Sequence, residues 1–566
     1  MTVNRRGLLA LLGAGAGAGA TAALAKVNTT ADFSYRHGVA SGDPLRDRVI
    51  LWTRLTPLLG DPHDRITGKV TIGQEFEGDP AGIIRTLDVE TSKDRDWTVK
   101  IDVTGLAPGM DYVYWFEFSV TGDASPRGRF RTLPAGPTKD VVLAVASCAL
   151  YPNGYFNAYG AIAALERVDA VVHLGDYIYE YGGPGSYGDE TERGLNRPHD
   201  PPHECLTLAD YRRRHAQYKT DLDLQAAHAR APWIVVWDDH ETANNSWKDG
   251  AENHNPGKGE GDWGARKAAA LKAYYEWMPI REPAPGRGAE MANRAFQFGD
   301  LASLLMVETR LTARSRQLTY GEDLPMVDGK PDAAAFTARW LDPERRLIGP
   351  DQLAWLAGES KASVAAGRTW QILGNQIVMA RVASPDFRMQ MGEAKFGEMV
   401  AGLPEEYQKP VAQLSALGAY GLPYNLDAWD GYPVDRERVL GAFKAAGAHP
   451  LVLSGDSHAF WANELHDAGG ALVGAEFGAT GVTSPGAGDV IRDVPLNQGF
   501  EDKNPEVVFT DHSAKGFVLL TLTKEAARAE FMAVSTVLSQ SFSTAPMKTY
   551  TVTPVAGGGV SALKAG

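Results

Sequence analysis

From Asp32 to about Pro134 the apolar positions fall in short runs that alternate with polar ones and stop at turn residues. Val49-Ile50-Leu51-Trp52 is one strand-like run, and Trp97-Thr98-Val99-Lys100-Ile101-Asp102-Val103 is another. A Pro108-Gly109 turn then leads into Tyr112-Val113-Tyr114-Trp115-Phe116, which predicts a hairpin corner with Tyr112 or Tyr114 pinned at the bend. About 100 residues of this texture predict a small all-β, immunoglobulin- or fibronectin-like sandwich over 32–134, with Gly128-Arg129-Phe130-Arg131-Thr132-Leu133-Pro134 as its last strand. Nothing in it gathers catalytic residue types. From Asp140 onward, apolar runs alternate with helix-like segments, the rhythm of an α/β layered domain, here placed at 140–540 with a C-terminal tail at 541–566.

Four of the later runs share one property. Val141–Ala146 leads to Ser147-Cys148, and Asp169–Gly175 leads to Asp176 with Tyr177, Ile178 and Tyr179 following. Trp233–Trp237 runs into Asp238-Asp239-His240-Glu241, and Pro450–Ser454 into Gly455-Asp456-Ser457-His458. Each is a buried-sheet type of strand with metal-binding residue types at its carboxyl end. Strand ends of an open α/β sheet line one crevice, so these four can converge although they are far apart in the chain. Carboxylates suit hard cations such as calcium, magnesium, manganese and ferric iron. A thiolate and a phenolate add donors that a ferric centre uses. Two or more such cations clamp a phosphoryl group and deprotonate water near neutral pH.

Composition narrows the classes. The chain has 566 residues, too many for one compact core. With 44% hydrophobic and 22% charged residues it is an ordinary globular protein. The 56 Lys and Arg against 70 Asp and Glu, a net charge of −14, argue against a general electrostatic grip on nucleic acid or anionic lipid. Two cysteines, Cys148 and Cys205, exclude a disulfide-dense scaffold and allow one bridge. The opening Asn4-Arg5-Arg6-Gly7-Leu8-Leu9, an Ala- and Gly-rich stretch and a small-x-small ending at Ala23-Leu24-Ala25 predict a twin-arginine signal over 1–25. An uncleaved anchor is its competitor; the stretch is long enough to cross a bilayer but poor in apolar area.

The motifs carry a resemblance. His37-Gly38-Val39-Ala40-Ser41-Gly42-Asp43-Pro44, Ala146-Ser147-Cys148, Gly175–Tyr181, Trp237–Glu241 with Asn244-Asn245, Asp430-Gly431-Tyr432-Pro433, Gly455–His458 and Thr483-Ser484-Pro485-Gly486 are similar to the PhoD-like alkaline phosphatase family. That family belongs to the calcineurin-like metallophosphoesterases, and its site is similar to that of purple acid phosphatases. The resemblance implies a layered metallophosphoesterase β-sandwich flanked by helices, a ferric ion (Fe3+) and calcium (Ca2+), and an exported phosphoric ester hydrolase. Asp176 would bridge two metals, with Tyr179 and Cys148 on the iron. Asp239, Asn245, Asp456 and His458 would complete the metal shell, and Asp238 and Glu241 would orient it. His240 would protonate the leaving group or hold the phosphate. Arg266 matches a family arginine whose fork could bind two phosphate oxygens. The Arg212-Arg213-Arg214 run reads as a solvated helix face, and Glu308 stands where the family usually has Asp before Thr309-Arg310.

The reading is thus a phosphatase in which a metal-bound hydroxide attacks a phosphate ester substrate, exported by the twin-arginine machinery to the periplasm or beyond. Two alternatives stay open: a phosphodiesterase or phospholipase D-type hydrolase of lipid or wall-polymer diesters, and a non-enzymatic envelope protein with a structural metal site. A lid over the site is expected from Gly182–His203 or from the segment after Gly516.

Overall fold

The structure, a computed structural model, describes residues 32–58, 63–76, 79–183, 193–403, 405–492 and 494–566. The predicted signal and part of the predicted Gly182–His203 lid lie outside them. Among the described residues no helix is long and apolar enough to cross a membrane.

Two sheets face each other. Asp140–Ala146, Ala170–His173 and Trp233–Val235 pair in parallel at the centre of a ten-stranded sheet. Their near-continuous apolar sequence follows from burial on both faces. Pro450–Ser454 lies instead in a seven-stranded sheet, between Trp370–Gly374 and Leu472–Gly478. The four ligand-bearing strands therefore do not share one sheet; three come from one and the fourth from the other. An isolated parallel bridge, Ser147 to Gly481, ties the two sheets just beyond the strand ends.

The alternation of side chains along the seven-stranded sheet sets the layers. Leu304, Ile372, Leu451 and Leu453 face a core shared with the ten-stranded sheet, whereas Leu305, Leu373 and Val452 face a second core with the helices Pro350–Ala365 and Pro433–Ala446. Phe531 of the larger sheet meets Phe460, Phe477 and Phe509 of the smaller one at ring distances of 5.3, 6.4 and 5.5 Å. On the other face of the larger sheet lie Asn157–Ala163 and Leu222–Arg230, and Leu208–Tyr218 packs on Trp263–Trp277. This sandwich flanked by helices is the fold class expected.

The N-terminal β region has its own core, built on Phe33, Leu51, Val70, Tyr114 and Phe116. Arg65–Phe76, Asp79–Ser92, Asp111–Glu117 and Gly128–Arg131 form its four-stranded sheet. Tyr112 is the pinned corner residue: its hydroxyl accepts the Ala107 N–H at 2.9 Å. The strands Val39–Gly42, Arg48–Arg54 and Thr98–Thr104 leave this region and extend the ten-stranded sheet, through a parallel contact of Gly42 with Trp233. At the opposite edge, Thr544–Val552 pairs with Ala527–Val534 and carries Lys564–Ala565. Part of the segment read as a C-terminal tail is thus strand of the larger sheet. Pro546 weakens the strand pattern there, and it is accommodated where the register shifts between Phe531 and Met532.

Candidate active site

The strand ends bring Cys148, Asp176, Asp239, Asp456 and His458 into one cleft. Three sets of donor atoms lie within 4.8 Å of one another: Cys148, Asp176 and His458; Asp176, Asp239 and His240; and Asp238, Asp239 and Asp456. Asp176 and Asp239 each belong to two sets. Solvent reaches the cleft beside Asn244–Asn245 and Asp456–His458, which are half-buried, while Asp176, Asp238 and Asp239 are buried.

The backbone turns sharply at these positions. Cys148, Asp176, Asn245, Asp456 and His458 have φ of 61, 54, 49, 62 and 55°, half of the ten non-glycine residues with positive φ among the described residues. Such left-handed conformations cost of order 1–3 kcal/mol each and persist where surrounding contacts impose them. Glu241 holds the turn at Asp176: its carboxylate accepts the N–H groups of Asp176 (3.1 Å), Tyr177 (2.7 Å) and Asp238 (2.8 Å). Gly175, at φ 109°, has no room for a side chain, because a Cβ there would lie 2.4 Å from the Asp238 backbone nitrogen. The Ala149 N–H in turn donates to the Asp176 carbonyl at 2.9 Å.

The side chains around Tyr179 have more acceptors than protons. The Tyr179 hydroxyl has one proton and two acceptors, Asp176 Oδ2 at 3.0 Å and His458 Nε2 at 3.1 Å. His458 Nδ1 donates to the Pro485 carbonyl at 2.9 Å, which leaves Nε2 as a lone pair facing the cleft. Burial keeps this imidazole neutral, its pKa lowered to about 4. One oxygen each of Asp176, Asp238 and Asp239 is buried without a hydrogen-bond partner. Burial pushes the Asp176 and Asp238 carboxyls well above the usual range, Asp456 to about 7 and Glu241 to about 8. Burial, with the Asp176 charge, likewise raises the Cys148 thiol. Burial works against the charge of Asp239 too, but His240 and Arg310 outweigh it and hold that carboxyl low. Buried acidic groups of this kind, with orphaned oxygens, fit bound cations, which remove the cost of ionising them. The donor set of thiol, phenol, imidazole and carboxylates fits a metal centre.

This fold and cleft agree with what known proteins show. Residues 143–531 match the model of the PhoD-like phosphatases, and residues 20–134 match that of the PhoD-like phosphatase N-terminal domain. The chain belongs to the PhoD-like phosphatase family. It is 34% identical over 546 residues to alkaline phosphatase D of Bacillus subtilis (strain 168), covering 94% of this chain and 83% of the relative. A solved structure of PhoD superposes with a TM-score of 0.75 at 32% identity, over 95% of this chain and 93% of that one. The purple acid phosphatase PPD1 of yellow lupin shares the fold, with a TM-score of 0.51 at 12% identity over 91% of this chain and 73% of that one. The family read from the motifs is borne out, and with it the class of phosphoric ester hydrolase.

Several expected roles look different in the PhoD-like cleft. Arg266, on the helix Trp263–Trp277, does not reach the acidic cluster. Its guanidinium is engaged by Tyr211 Oη (3.0 Å), His254 Nδ1 (3.4 Å) and Glu204 Oε1 (2.7 Å), so its fork is not free for phosphate. The Asn245 side chain donates to Glu252 Oε2 (2.5 Å), and it is the Asn245 backbone N–H that holds Asp239 Oδ2 (2.6 Å). Arg214 is no solvated residue: buried, it donates to the carbonyls of Tyr179 and Pro201 and so fixes the loop carrying Tyr179. Cys148 and Cys205 are both free thiols, so the bridge the sequence allowed is not formed.

Sequence reasoning missed Arg310, the cation inside the acidic cluster. It donates to Asp238 Oδ1 (2.5 Å), Asp427 Oδ2 (2.7 Å) and Asp456 Oδ1 (3.1 Å), and lies 3.8 Å from Asp239. Glu308 builds the turn that presents it, accepting the N–H groups of Arg310, Leu311 and Thr312 and the Trp237 indole N–H. The signal was there: Thr309-Arg310 also follows a buried strand, Ala302–Met306. His240 lies with Nδ1 2.8 Å from Glu180 Oε2 and Nε2 3.9 Å from Asp239 Oδ2. Burial opposes its charge, but the carboxylates of Asp239, Glu180 and Asp176 hold its pKa well above the usual histidine value.

Proposed function

We propose that this protein is an exported, metal-dependent alkaline phosphatase that hydrolyses phosphate esters with a ferric ion and calcium bound in the cleft. The observation that carries this reading is the set of partnerless buried oxygens on Asp176, Asp238 and Asp239, within a PhoD-like fold. Cys148, Tyr179, His458 and Asp176 would hold the ferric ion, and Asp176, Asp239 and Asp456 the calcium; Asn245 stands beside them. Bound cations supply Lewis acidity toward phosphoryl oxygens and make water a nucleophile at neutral pH. The chain's own groups do the rest. Glu241 fixes the loops of Asp176 and Asp238, and Arg310 offsets the charge behind Asp238 and Asp456. His240, at the solvent side of Asp239, holds a proton for the leaving oxygen.

Purified enzyme is expected to release phosphate from an aryl monophosphate, to lose that activity on chelation and to regain it with iron plus calcium. It is also expected to absorb visible light through the Tyr179 phenolate and the Cys148 thiolate, and Tyr179→Phe to shift and weaken that band. Hydrolysis untouched by chelation, or a Tyr179→Phe protein with an unchanged spectrum, would contradict the reading. The rate on an aryl diester, measured beside the monoester, assigns the substrate class.

Residues 1–25, with the Arg5-Arg6 pair, support export of the folded protein by the twin-arginine machinery to the periplasm or the medium. Arg5→Lys together with Arg6→Lys is expected to retain the enzyme in the cytoplasm, read by activity in cell fractions. Equal activity outside the cytoplasm would dismiss the twin-arginine route.

A further inference from the structure

Glu180 follows Tyr179 and is completely buried, yet it belongs to none of the three donor sets. Its Oε1 accepts the Asn244 N–H (2.7 Å) and the Asn253 Nδ2–H (2.7 Å), and its Oε2 lies 2.8 Å from His240 Nδ1. The Cys205 N–H donates to its carbonyl at 2.9 Å, anchoring the backbone as well. A carboxylate surrounded by donors only accepts, so Nδ1 of His240 carries a proton and Nε2 is the ring atom turned to the cleft. The ring is held from its sides too: its centroid lies 4.2 Å from that of Tyr179 and 5.1 Å from that of Tyr181.

We infer that Glu180 is the positioning residue of His240. It fixes the orientation in which Nε2 delivers a proton to the leaving oxygen. This inference rests on the phosphatase reading and on His240 as the proton donor. In that step the bond between phosphorus and the leaving oxygen breaks and its electron pair stays on the oxygen. The oxygen takes the Nε2 proton as the alcohol departs, while the oxygen of a water bonds to phosphorus. The water's proton passes to solvent, from which Nε2 is recharged. Nδ1–H stays on Glu180 throughout, so the imidazole cannot turn over and present the wrong nitrogen.

Glu180→Gln keeps the shape and breaks this pattern. An amide offers one acceptor and one donor, whereas all three neighbours of the carboxylate are donors, so either His240 or the Asn244–Asn253 pair loses its acceptor. A positioning role acts only where the leaving group needs a proton. On an alkyl phosphate, kcat of Glu180→Gln is expected to fall about 100-fold, and on 2,4-dinitrophenyl phosphate to stay within about threefold. His240→Ala should show the same split, and the double variant should be no worse than His240→Ala alone. Asn253→Ala, which loosens Glu180 without touching His240, should move the alkyl rate in the same direction by about threefold to tenfold, and it carries the test where Glu180→Gln does not fold.

Equal losses on both substrates, or none, in Glu180→Gln and Asn253→Ala would overturn the role of Glu180 while the split in His240→Ala leaves the donor assignment standing. No split in His240→Ala would overturn both. Failure of the unsubstituted enzyme to hydrolyse either ester would overturn the phosphatase reading itself.

Discussion

Asp176→Asn is expected to lower kcat/KM for an aryl phosphate by about three orders of magnitude, about 4 kcal/mol of transition-state stabilisation, and to reduce bound metal. Asp176 is shared by two of the donor sets, and one of its oxygens is buried without a hydrogen-bond partner. An amide keeps the shape and can keep the Tyr179 contact, but it cannot supply a negative oxygen to two cations. The folded, metal-free protein should not suffer. Burial raises the Asp176 carboxyl above its unfolded value, so ionising it opposes folding as pH rises from about 4 upward. Metal-free Asp176→Asn is therefore expected to melt at or above metal-free wild type at pH 8, and metal-loaded wild type to melt above both. Retained activity, or a metal-free variant that melts clearly lower, would refute the bridging assignment.

Arg310→Met should destabilise the protein by about 3–5 kcal/mol, the cost of removing one partner from a buried ionic cluster. The guanidinium is fully buried and holds Asp238, Asp427 and Asp456 directly. Methionine fills similar volume but leaves those carboxylates with less compensating charge. Arg310→Lys keeps the charge and loses the fork that reaches three partners, so an intermediate loss is expected. The urea midpoint, or the unfolding rate if refolding fails, reads both. A midpoint for Arg310→Met within error of wild type would show that the cluster is compensated otherwise.

The parts of this site legible in the sequence are those in which a strand and its ligand are neighbours in the chain. Cys148, Asp176, Asp239, Asp456 and His458 each follow an apolar run, and the runs locate them without knowledge of pairing. What the sequence could not carry was long-range direction. The sequence assigns Arg266 to phosphate and gives Arg310 no role, but a helix turns the first toward Glu204 and a Glu308-built turn points the second into the acidic cluster. Glu180 is quoted easily as part of a motif, but its partner His240 lies 60 residues on. The strand ends were expected in one crevice of one sheet, because apolar runs record burial and not which sheet a strand joins. Thr544–Val552 was hidden by Pro546 at a register shift.

The order of strands in the larger sheet has a consequence for biosynthesis. Its parallel centre is flanked on one side by strands from residues 39–104 and on the other by strands from 515–565. A chain still emerging from the ribosome holds the first flank but not the second, so Asp140–Ala146 waits with an unpaired edge until Lys515–Thr523 has been made. A fragment ending before Lys515 would keep every residue of the acidic cleft and yet expose that edge to other chains.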